Sequence, residues 1–251
     1  MAASLSGRTV LVTGASSGIG ERFARIAAAE GAAVVIGARR VDRLQALGDE
    51  IAAAGGKVLA VALDVTQEAS VAACYDAAEA AFGVVTGVVA NAGVNAQGRA
   101  IDIPVADFDQ IFAVNVRGVF LTAREGARRM RAAGLAEAGR VVLISSITAQ
   151  MRTPGTVAYS ASKAAVTHMG RMLAREWRSG PNVNVLSPGY IASELAGDWF
   201  ATEAGTRQVE TWPRARMLDQ NALDATLLYL LSDQSRNVTG SDFVIDDGQS
   251  L

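Results

Sequence analysis

The stretch Thr9-Val10-Leu11-Val12-Thr13-Gly14-Ala15-Ser16-Ser17-Gly18-Ile19-Gly20 decides the fold of this chain. A short aliphatic run leads directly into three glycines, and an amphipathic helical pattern follows. Glycines allow the backbone to approach a pyrophosphate closely, and a helix N-terminus offers N–H donors and a favourable dipole. The spacing is G-x-x-x-G-x-G, whereas the more common fingerprint is G-x-G-x-x-G. A simple tight turn gives the same pattern, but its place at the first βα junction favours dinucleotide binding.

The rest of the chain repeats this alternation of apolar run and helical pattern. Continuous apolar runs predict strands buried on both faces, and their alternation with helices predicts parallel strands joined by right-handed crossovers. We therefore predict an α/β fold: a single doubly wound, Rossmann-like domain with a parallel seven-stranded sheet and helices on both faces. The predicted strands are 9–13, 33–38, 57–63, 87–90, 140–145, 182–186 and 242–245, and the predicted helices are 18–31, 41–54, 67–82, 104–131, 157–179 and 219–232.

We predict one domain over residues 1–251, because no linker, composition break or repeat divides the chain. The segment 190–217 interrupts the rhythm and carries Trp199, Phe200 and Trp212. A connection of this length without a clear helical pattern is uncommon between a strand and a helix. We predict that it forms a lid over a substrate site. The alternative is that its aromatic side chains pack against a neighbouring subunit.

Composition argues against several classes of protein. Half of the residues are hydrophobic, and the net charge is −2 with a pI near 5.5. Neither nucleic acid nor an anionic membrane is therefore an expected partner. Cys74 and His168 are the only residues of their kinds, so neither a disulfide nor the usual zinc site is expected. The N-terminus lacks an apolar signal core and no run is long enough to span a membrane, so we expect a cytoplasmic protein.

The segment Tyr159-Ser160-Ala161-Ser162-Lys163 places a phenol and an ammonium four residues apart, on one face if the segment is helical. A free tyrosine ionises near pH ~10, and a neighbouring cation lowers the pKa of the phenol. Such a pair suits proton transfer to or from an oxygen, as in the interconversion of an alcohol and a carbonyl. Taken alone, the pair is also typical of a surface tyrosine beside a solvated lysine.

The end of the second predicted strand bears on the choice of dinucleotide. About 20 residues after the glycine turn, an NAD-binding unit has an acidic residue that bonds the ribose hydroxyls. This chain has Ala38, Arg39 and Arg40 there. Arginine forks pair well with a 2′-phosphate, so NADP is the predicted cofactor and NAD the less favoured one. Ser16 is expected near the same phosphate. The alternative for the arginines is a solvated pair capping a helix beside Asp42.

Several motifs in one order resemble the short-chain dehydrogenase/reductase family. They are the glycine turn, Asn91-Ala92-Gly93, Ser146 and Tyr159-x-x-x-Lys163, with further matches at Asp64-Val65, Asn115 and Pro188-Gly189. The likeness covers nearly the whole chain, and the joint pattern is far more specific than any of its parts. The C-terminus departs from the family's Asp-Gly-Gly with Asp246-Asp247-Gly248, a change that we do not expect to affect the chemistry.

The resemblance implies a role for each catalytic position. Tyr159 is the acid/base, and Ser146, thirteen residues before it, donates a hydrogen bond to the reacting oxygen. That interval is also the reason to choose Ser146 over Ser145. Lys163 lowers the pKa of Tyr159 and holds the cofactor ribose. Asn115 positions a water that relays protons through Lys163; its alternative is a polar group that kinks its helix.

The resemblance also implies the binding contacts. Asp64 and Val65 flank the adenine, and the segment from Pro188 to Ser193 lies near the nicotinamide. The full cofactor set is Gly14, Ser16, Ser17, Gly18, Ile19, Gly20, Arg39, Arg40, Asp64, Val65, Asn91, Ala92, Gly93, Tyr159, Lys163, Pro188, Gly189, Ile191 and Ser193. The expected substrate contacts are Gln150, Met151, Tyr190, Trp199 and Phe200.

Three functions fit these patterns. The first is an NADP-dependent oxidoreductase that interconverts a hydrophobic ketone and its secondary alcohol. The second is a reductase of 3-oxoacyl groups on a carrier protein, which shares every motif, although Glu137 near the entrance to the Ser146 strand would repel an acidic carrier. The third is a catalytically silent NADP-sensing regulator, which we would expect to have lost one of the four catalytic positions. By the same resemblance, helices 104–131 and 157–179 form the interface of a homotetramer or, failing that, a dimer.

Overall fold

The structure of the chain, a computed structural model, describes residues 4–192 and 197–251. Over these residues seven parallel strands form one sheet in the order β3-β2-β1-β4-β5-β6-β7. The strands are β1 (Thr9–Thr13), β2 (Ala33–Ala38), β3 (Lys57–Ala62), β4 (Gly87–Ala90), β5 (Arg140–Ile144), β6 (Asn182–Pro188) and β7 (Asp242–Ile245). The predicted fold is confirmed, with strand boundaries within two residues of the prediction.

Eight α-helices surround the sheet in the described part of the chain. They are α1 (Gly18–Ala29), α2 (Val41–Ala53), α3 (Glu68–Phe82), α4 (Val105–Phe112), α5 (Val119–Ala132), α6 (Val157–Glu176), α7 (Glu203–Glu210) and α8 (Asp224–Leu231). The predicted helix 104–131 is α4 and α5 joined by a π-helical segment, Ala113–Gly118. The segment 190–217 contains α7 and a short 3₁₀ helix, Gly197–Ala201, neither of which the sequence predicted.

The core consists of two apolar layers, one on each face of the sheet. Successive residues of a strand point to opposite faces. Val10 and Val12 pack in the layer formed with α1, α2 and α8, and Leu11 packs in the layer formed with α3, α5 and α6. All five residues of β1 are buried. This explains why the apolar runs do not alternate with polar residues.

The strand order places a crevice at one edge of the sheet. Chain order reverses at β1, which pairs with β2 on one side and with β4 on the other. The loops that follow β1 and β4 therefore run in opposite directions and leave a cleft beyond their carboxyl ends, where open α/β sheets bind ligands. In residues 4–192 and 197–251, no helix is both long and apolar enough to cross a membrane.

Candidate active site

A cavity of about 1240 Å³ occupies this crevice. One end lies against Arg39, Arg40 and Asp64, and the other end lies between Met151 and Phe200. Every predicted cofactor residue within the described part of the chain lines it, and so do Ser146, Met151, Tyr190, Trp199 and Phe200. Ser193 lies outside the described residues. Asn115 and Gln150 are not among the lining residues.

The glycine turn is packed so tightly that side chains would not fit. Gly14 and Gly18 have φ values of 69° and 58°, a region that favours glycine. A Cβ on Gly20 would lie 2.4 Å from Gly14 O and 2.4 Å from Asn91 Nδ2. The side chain of Ser17, the N-cap of α1, makes no capping hydrogen bond, which leaves the first N–H groups of the helix available to an anion. The turn fits a dinucleotide pyrophosphate.

Asn91 and Thr13 fix the relative position of the loops after β4 and β1. Asn91 Nδ2 donates to Thr13 O at 2.9 Å, and Thr13 Oγ1 accepts from the backbone N–H groups of Asn91 and Ala92, each at 3.1 Å. These contacts join the two strands on either side of the crevice. The Asn91-Ala92-Gly93 segment is thus a tight strand-end turn that also forms part of the cavity wall.

The basic end of the cavity joins the glycine turn to β2. Arg40 Nε donates to Ser16 Oγ at 3.1 Å, and Arg40 Nη2 donates to Ser17 Oγ at 2.5 Å. Arg39 is exposed at the same end, close enough to Asp64 to lower the pKa of that carboxyl. The main cause of the lowered Asp64 pKa is the backbone N–H of Thr66, which donates to the carboxylate at 2.9 Å. Two guanidinium groups thus lie where an NAD-binding unit has a carboxylate.

Tyr159 and Ser146 meet on the floor of the cavity. Burial raises the pKa of Tyr159 to about 12, the nearby Tyr190 acts in the same direction, and a hydrogen bond with Ser146 acts against both. The expectation that the pKa of Tyr159 lies below its ordinary value because of Lys163 is therefore wrong for the protein alone, since burial raises it. Ser146 Oγ accepts from Thr148 N and from Thr148 Oγ1, at 3.2 and 3.0 Å, so its own proton remains available to donate.

Lys163 reaches the same floor from the next turn of α6. Its Nζ lies 5.6 Å from the centroid of the Tyr159 ring and donates to Ile144 O at 2.9 Å. The side chain is 3% exposed, and burial lowers the pKa of Lys163 to about 8. Both ionisable groups of the pair are thus shifted toward their neutral forms by desolvation.

The structure separates the two serines after β5. Ser145 is 2% exposed, donates to Lys163 O at 2.9 Å and shares a hydrogen bond with Thr167 Oγ1 at 2.8 Å. Ser146 is only half-buried and faces the cavity beside Tyr159. Ser145 therefore holds α6 against the sheet, and the geometry agrees with the choice of Ser146 for chemistry.

Asn115 lies in the π-helical segment and is fully buried. Its Oδ1 accepts from Val94 N at 2.8 Å, and its Nδ2 donates to Val94 O and to Ser162 Oγ, at 2.9 and 3.0 Å. A Cβ on Gly93 would lie 3.5 Å from both Asn115 Oδ1 and Lys163 Nζ. Glycine at position 93 therefore keeps open the space between these two groups.

The outer end of the cavity is bounded by aromatic rings. Tyr190 stacks on Trp212 with ring centroids 5.3 Å apart and an angle of 6°, and Phe200 packs edge-on against Tyr190 at 4.9 Å. Trp199 lines the cavity and is 42% exposed, whereas Trp212 is buried behind Tyr190. Gln150 differs from the prediction: its Nε2 points to Asp242 Oδ2, at 3.4 Å, because β7 lies directly beside it.

Sequence reasoning missed several residues at this end. Asn95, Arg99 and Arg152 line the cavity, and Asn95 Oδ1 is buried without a hydrogen-bond partner among the described residues. Asn95 lies two residues after the Asn91-Ala92-Gly93 motif, so the motif could have indicated it as a cavity residue. Arg99 and Arg152 come from two loops that meet only in the fold, where Gly98 N donates to Gly155 O at 3.0 Å.

Glu137 does not lie where it could repel a carrier protein, as the sequence led us to expect. It lies in a 3₁₀ turn before β5, at the amino end of that strand, whereas Ser146 follows the carboxyl end. The two ends of a strand lie at opposite edges of a parallel sheet. Glu137 therefore has no bearing on the cavity entrance. Arg99 and Arg152 line the cavity there, and Asp102 lies 3.8 Å from Arg99 on the same loop.

Comparison with known proteins agrees with this site. A family model described as "Enoyl-(Acyl carrier protein) reductase" matches residues 14–250. The chain belongs to the short-chain dehydrogenase/reductase family and is an oxidoreductase of alcohols or ketones. The oxidoreductase UcpA of Salmonella typhimurium is 34% identical over 98% of this chain and 96% of its own length.

Two crystal structures show the same architecture. A short-chain type dehydrogenase/reductase from Mycobacterium marinum is 38% identical with a TM-score of 0.92, covering 98% of this chain and 97% of the other. A gluconate 5-dehydrogenase from Burkholderia cenocepacia, in complex with NADP and tartrate, is 30% identical with a TM-score of 0.93, covering 99% of this chain and 97% of the other. Both likenesses extend over essentially the whole chain.

Proposed function

We propose that the protein is an NADP-dependent oxidoreductase that interconverts a hydrophobic ketone and its secondary alcohol. The observation that carries this proposal is the convergence of Ser146, Tyr159 and Lys163 on the floor of one cavity whose other end is the glycine turn. A nicotinamide bound there would supply or accept the hydride. A cavity of about 1240 Å³ is large enough for a dinucleotide with a substrate beside it.

The side chains divide the proton chemistry among them. In reduction, Tyr159 donates its phenolic proton to the carbonyl oxygen, and its high pKa keeps that proton in place at neutral pH. Ser146 donates a hydrogen bond to the same oxygen as negative charge develops on it. Oxidation reverses both steps, with Tyr159 accepting the proton of the alcohol. Lys163 holds the ribose and, through a water in the space beside Gly93 and Asn115, replaces the proton on Tyr159.

Three observations support NADP. Arg39 and Arg40 lie at the carboxyl end of β2, where a ribose 2′-phosphate would lie. Arg40 is already oriented by Ser16 and Ser17 toward the glycine turn. The Burkholderia cenocepacia relative is in complex with NADP. We assign Arg39 and Arg40 together to the 2′-phosphate.

The substrate end combines an apolar wall with a basic mouth. Met151, Tyr190, Trp199 and Phe200 provide the wall, and we propose that residues 190–217 act as its lid within a single domain. The aromatic rings favour a substrate with a sizeable apolar body. The buried, unpaired Oδ1 of Asn95 favours a hydrogen-bond donor on that body.

One observation supports the alternative function, a reductase of 3-oxoacyl groups on a carrier protein. Arg152 at the mouth, and Arg99 to the extent that Asp102 at 3.8 Å leaves its charge uncompensated, would attract an acidic carrier protein. Glu137 lies at the opposite edge of the sheet. A catalytically silent NADP sensor receives no such support, because Ser146, Tyr159 and Lys163 are all in place.

The experiment is a substrate panel followed by the absorbance of NADPH. Aryl or polycyclic ketones, small aliphatic ketones and a 3-oxoacyl thioester are compared at equal concentration, with NADH in parallel. We expect the aryl or polycyclic ketones to give the highest kcat/KM. A clear preference for the thioester would replace the proposal with the carrier-linked reductase, and NADPH binding with no turnover of any compound would favour the sensor.

We also propose that the protein assembles as a homotetramer or a dimer through α4, α5 and α6. Val105, Phe108, Val157 and Met172 on these helices are exposed by 74%, 37%, 54% and 45%. Apolar exposure of this kind favours a subunit interface. Light scattering at micromolar concentration should give a multiple of 26.0 kDa. A monomer would refute the proposal.

A further inference from the structure

We propose that Gln249, two residues before the last residue of the chain, is a positioning residue that anchors both ends of the segment 190–217 and thereby sets the aromatic wall of the substrate site. The inference rests on the function proposed above for that site. It concerns a part of the chain to which the sequence assigned no part in the chemistry.

The side-chain amide of Gln249 holds two separate segments. Its Oε1 accepts from Tyr190 N at 2.6 Å, and its Nε2 donates to Tyr190 O at 3.4 Å and to Arg216 O at 3.2 Å. Tyr190 begins the segment and Arg216 lies near its end. Gln249 is 3% exposed, so these bonds are shielded from competing water.

The surrounding backbone leaves Gln249 little freedom. A Cβ on Gly189 would lie 2.4 Å from Gln249 Oε1, so the amide lies directly against the backbone next to Tyr190. Leu218 N donates to Tyr190 O at 2.9 Å, and Ile191 forms an isolated parallel bridge with Leu218. The two ends of the segment are thus joined to each other as well as to the C-terminal tail.

Asp247 strengthens the same anchor. Its carboxylate pairs with Arg214 Nε at 3.3 Å and with Arg216 Nε at 2.9 Å. Asp247 stands at the first glycine of the family's Asp-Gly-Gly element. Its φ of 52° is in the region where glycine is unstrained, and aspartate is among the residues that tolerate this region best. The departure from Asp-Gly-Gly therefore provides two ion pairs with the end of the segment.

Gln249 affects the substrate site through the stacked rings of Tyr190 and Trp212. Tyr190 lines the cavity next to Tyr159, and Trp212, four residues before Arg216, stacks on its far side. If Gln249 released the backbone at 190 and 216, the Tyr190 and Trp212 rings would no longer be held in register. The hydrogen bonds of Gln249 go to Tyr190 and Arg216, not to the glycine turn or to Arg39 and Arg40. Of the predicted cofactor contacts only those around Gly189 and Ile191 lie beside the anchor, so Kd for NADPH should change far less than KM for the ketone.

The test compares Gln249→Met with wild type. Methionine keeps the length and approximate volume of glutamine and removes all three hydrogen bonds. We expect KM for the preferred ketone to rise about tenfold or more, with a smaller change in kcat and with Kd for NADPH within about twofold. Trypsin should cut after Arg214 or Arg216 several-fold faster, as identified by peptide mass. The matched control is Gln45→Met, which removes one exposed bond to Asp49 on α2 and should change nothing.

A second variant, Asp247→Asn, tests the inference if Gln249→Met does not fold. Asparagine accepts the same backbone conformation and weakens only the ion pairs, so a smaller change in the same direction is expected. An unchanged KM, or a KM that rises in step with Kd for NADPH, would overturn the inference. Tryptic cleavage needs no substrate and therefore tests the anchor independently of the proposed function. If the wild type reduced no ketone, the proposed function would fail. Faster cleavage of Gln249→Met than of wild type would still support the anchor, and unchanged cleavage would refute it.

Discussion

Lys163 Nζ lies 5.6 Å from the centroid of the Tyr159 ring and gives its hydrogen bond to Ile144 O. The ammonium is thus held beside the face of the ring by the last residue of β5. This arrangement is within the range of a cation–π contact. It keeps the lysine near the phenol on the floor of the cavity, as its proposed role toward Tyr159 requires.

The first prediction concerns Tyr159→Phe. The ring and its packing remain and only the transferable proton is lost, so turnover should fall by about 10²-fold or more while NADPH binding stays nearly intact. Lys163→Ala should reduce both. Steady-state kinetics and NADPH fluorescence measure the two effects. Tyr229→Phe, on α8 against Phe243, is the control. If Tyr159→Phe kept more than a few per cent of the rate, Tyr159 would not be the acid.

The second prediction concerns pH. Burial lowers the pKa of Lys163 from 10.5 to about 8, so the folded protein releases this proton earlier than the unfolded chain does. Between these two values the unfolded chain binds more protons, and the contribution of Lys163 to the free energy of unfolding rises with pH. Below pH 8 the charged group is present in both states, and its burial lowers stability by a constant amount.

Activity should follow the opposite course, because the roles proposed for Lys163, binding the ribose and donating protons, require its charged form. We expect kcat/KM for NADPH to fall about tenfold per pH unit above about pH 8. Tyr159, with a pKa of about 12, stays protonated over this range. Lys163→Arg should be less active but should keep its rate to higher pH. A flat profile up to pH 10 would contradict the assignment.

Much of the fold could be predicted from the sequence, because β1, β2, β4 and β5 are apolar runs buried at nearly every residue, as in a sheet covered on both faces. The parts that were missed depend on weaker local signals. Helix α7 is short and polar, and its visible signal is the N-cap Thr202, whose hydroxyl accepts from Gly205 N at 3.1 Å. The π-helical turn at Asn115 depends on hydrogen bonds to Val94, which is distant in sequence.

The candidate site was predictable where each residue belongs to a local motif at the end of a strand. Parallel strands bring their carboxyl ends to one edge, so Gly14, Asn91 and Ser146 had to meet there. Arg152 and Gln249 belong to no motif and reach the site through loop and tail packing. The pKa of Tyr159 was mispredicted for a similar reason, since burial is a property of the whole fold.

The third prediction concerns cofactor choice. Wild type should prefer NADPH over NADH by at least about tenfold in kcat/KM, about 1.4 kcal/mol. Arg39→Ala and Arg40→Ala should each reduce this preference, since the two guanidinium groups share one end of the cavity. Ala38→Asp combined with Arg39→Ala should reverse it. Arg25→Ala, whose side chain pairs with Glu21 and Glu50, is the control. Equal use of both cofactors by wild type would refute the NADP assignment.

The fourth prediction compares two glycines that both lie inside helices. Gly20 in α1 leaves no room, because a Cβ would lie 2.4 Å from Gly14 O, a backbone atom of the turn. Gly48 in α2 leaves enough, because a Cβ would lie 4.0 Å from its nearest neighbour, Ala60 Cβ. Gly20→Ala must shift the turn, so we expect it to lower the free energy of unfolding by about 1–3 kcal/mol and to weaken NADPH binding.

Gly48→Ala should have the opposite sign. Alanine loses less backbone entropy than glycine on folding, so an unstrained helical site should gain about 0.5–1 kcal/mol, with NADPH binding unchanged. Urea denaturation and NADPH titration of the two variants give both quantities. The two positions share a helical backbone and differ in the space around the missing Cβ. Equal changes in the free energy of unfolding would therefore show that helix propensity, and not the close approach of the turn, determines the effect of Gly20→Ala. A Gly20→Ala protein that bound NADPH as tightly as wild type would remove the glycine turn from the cofactor site.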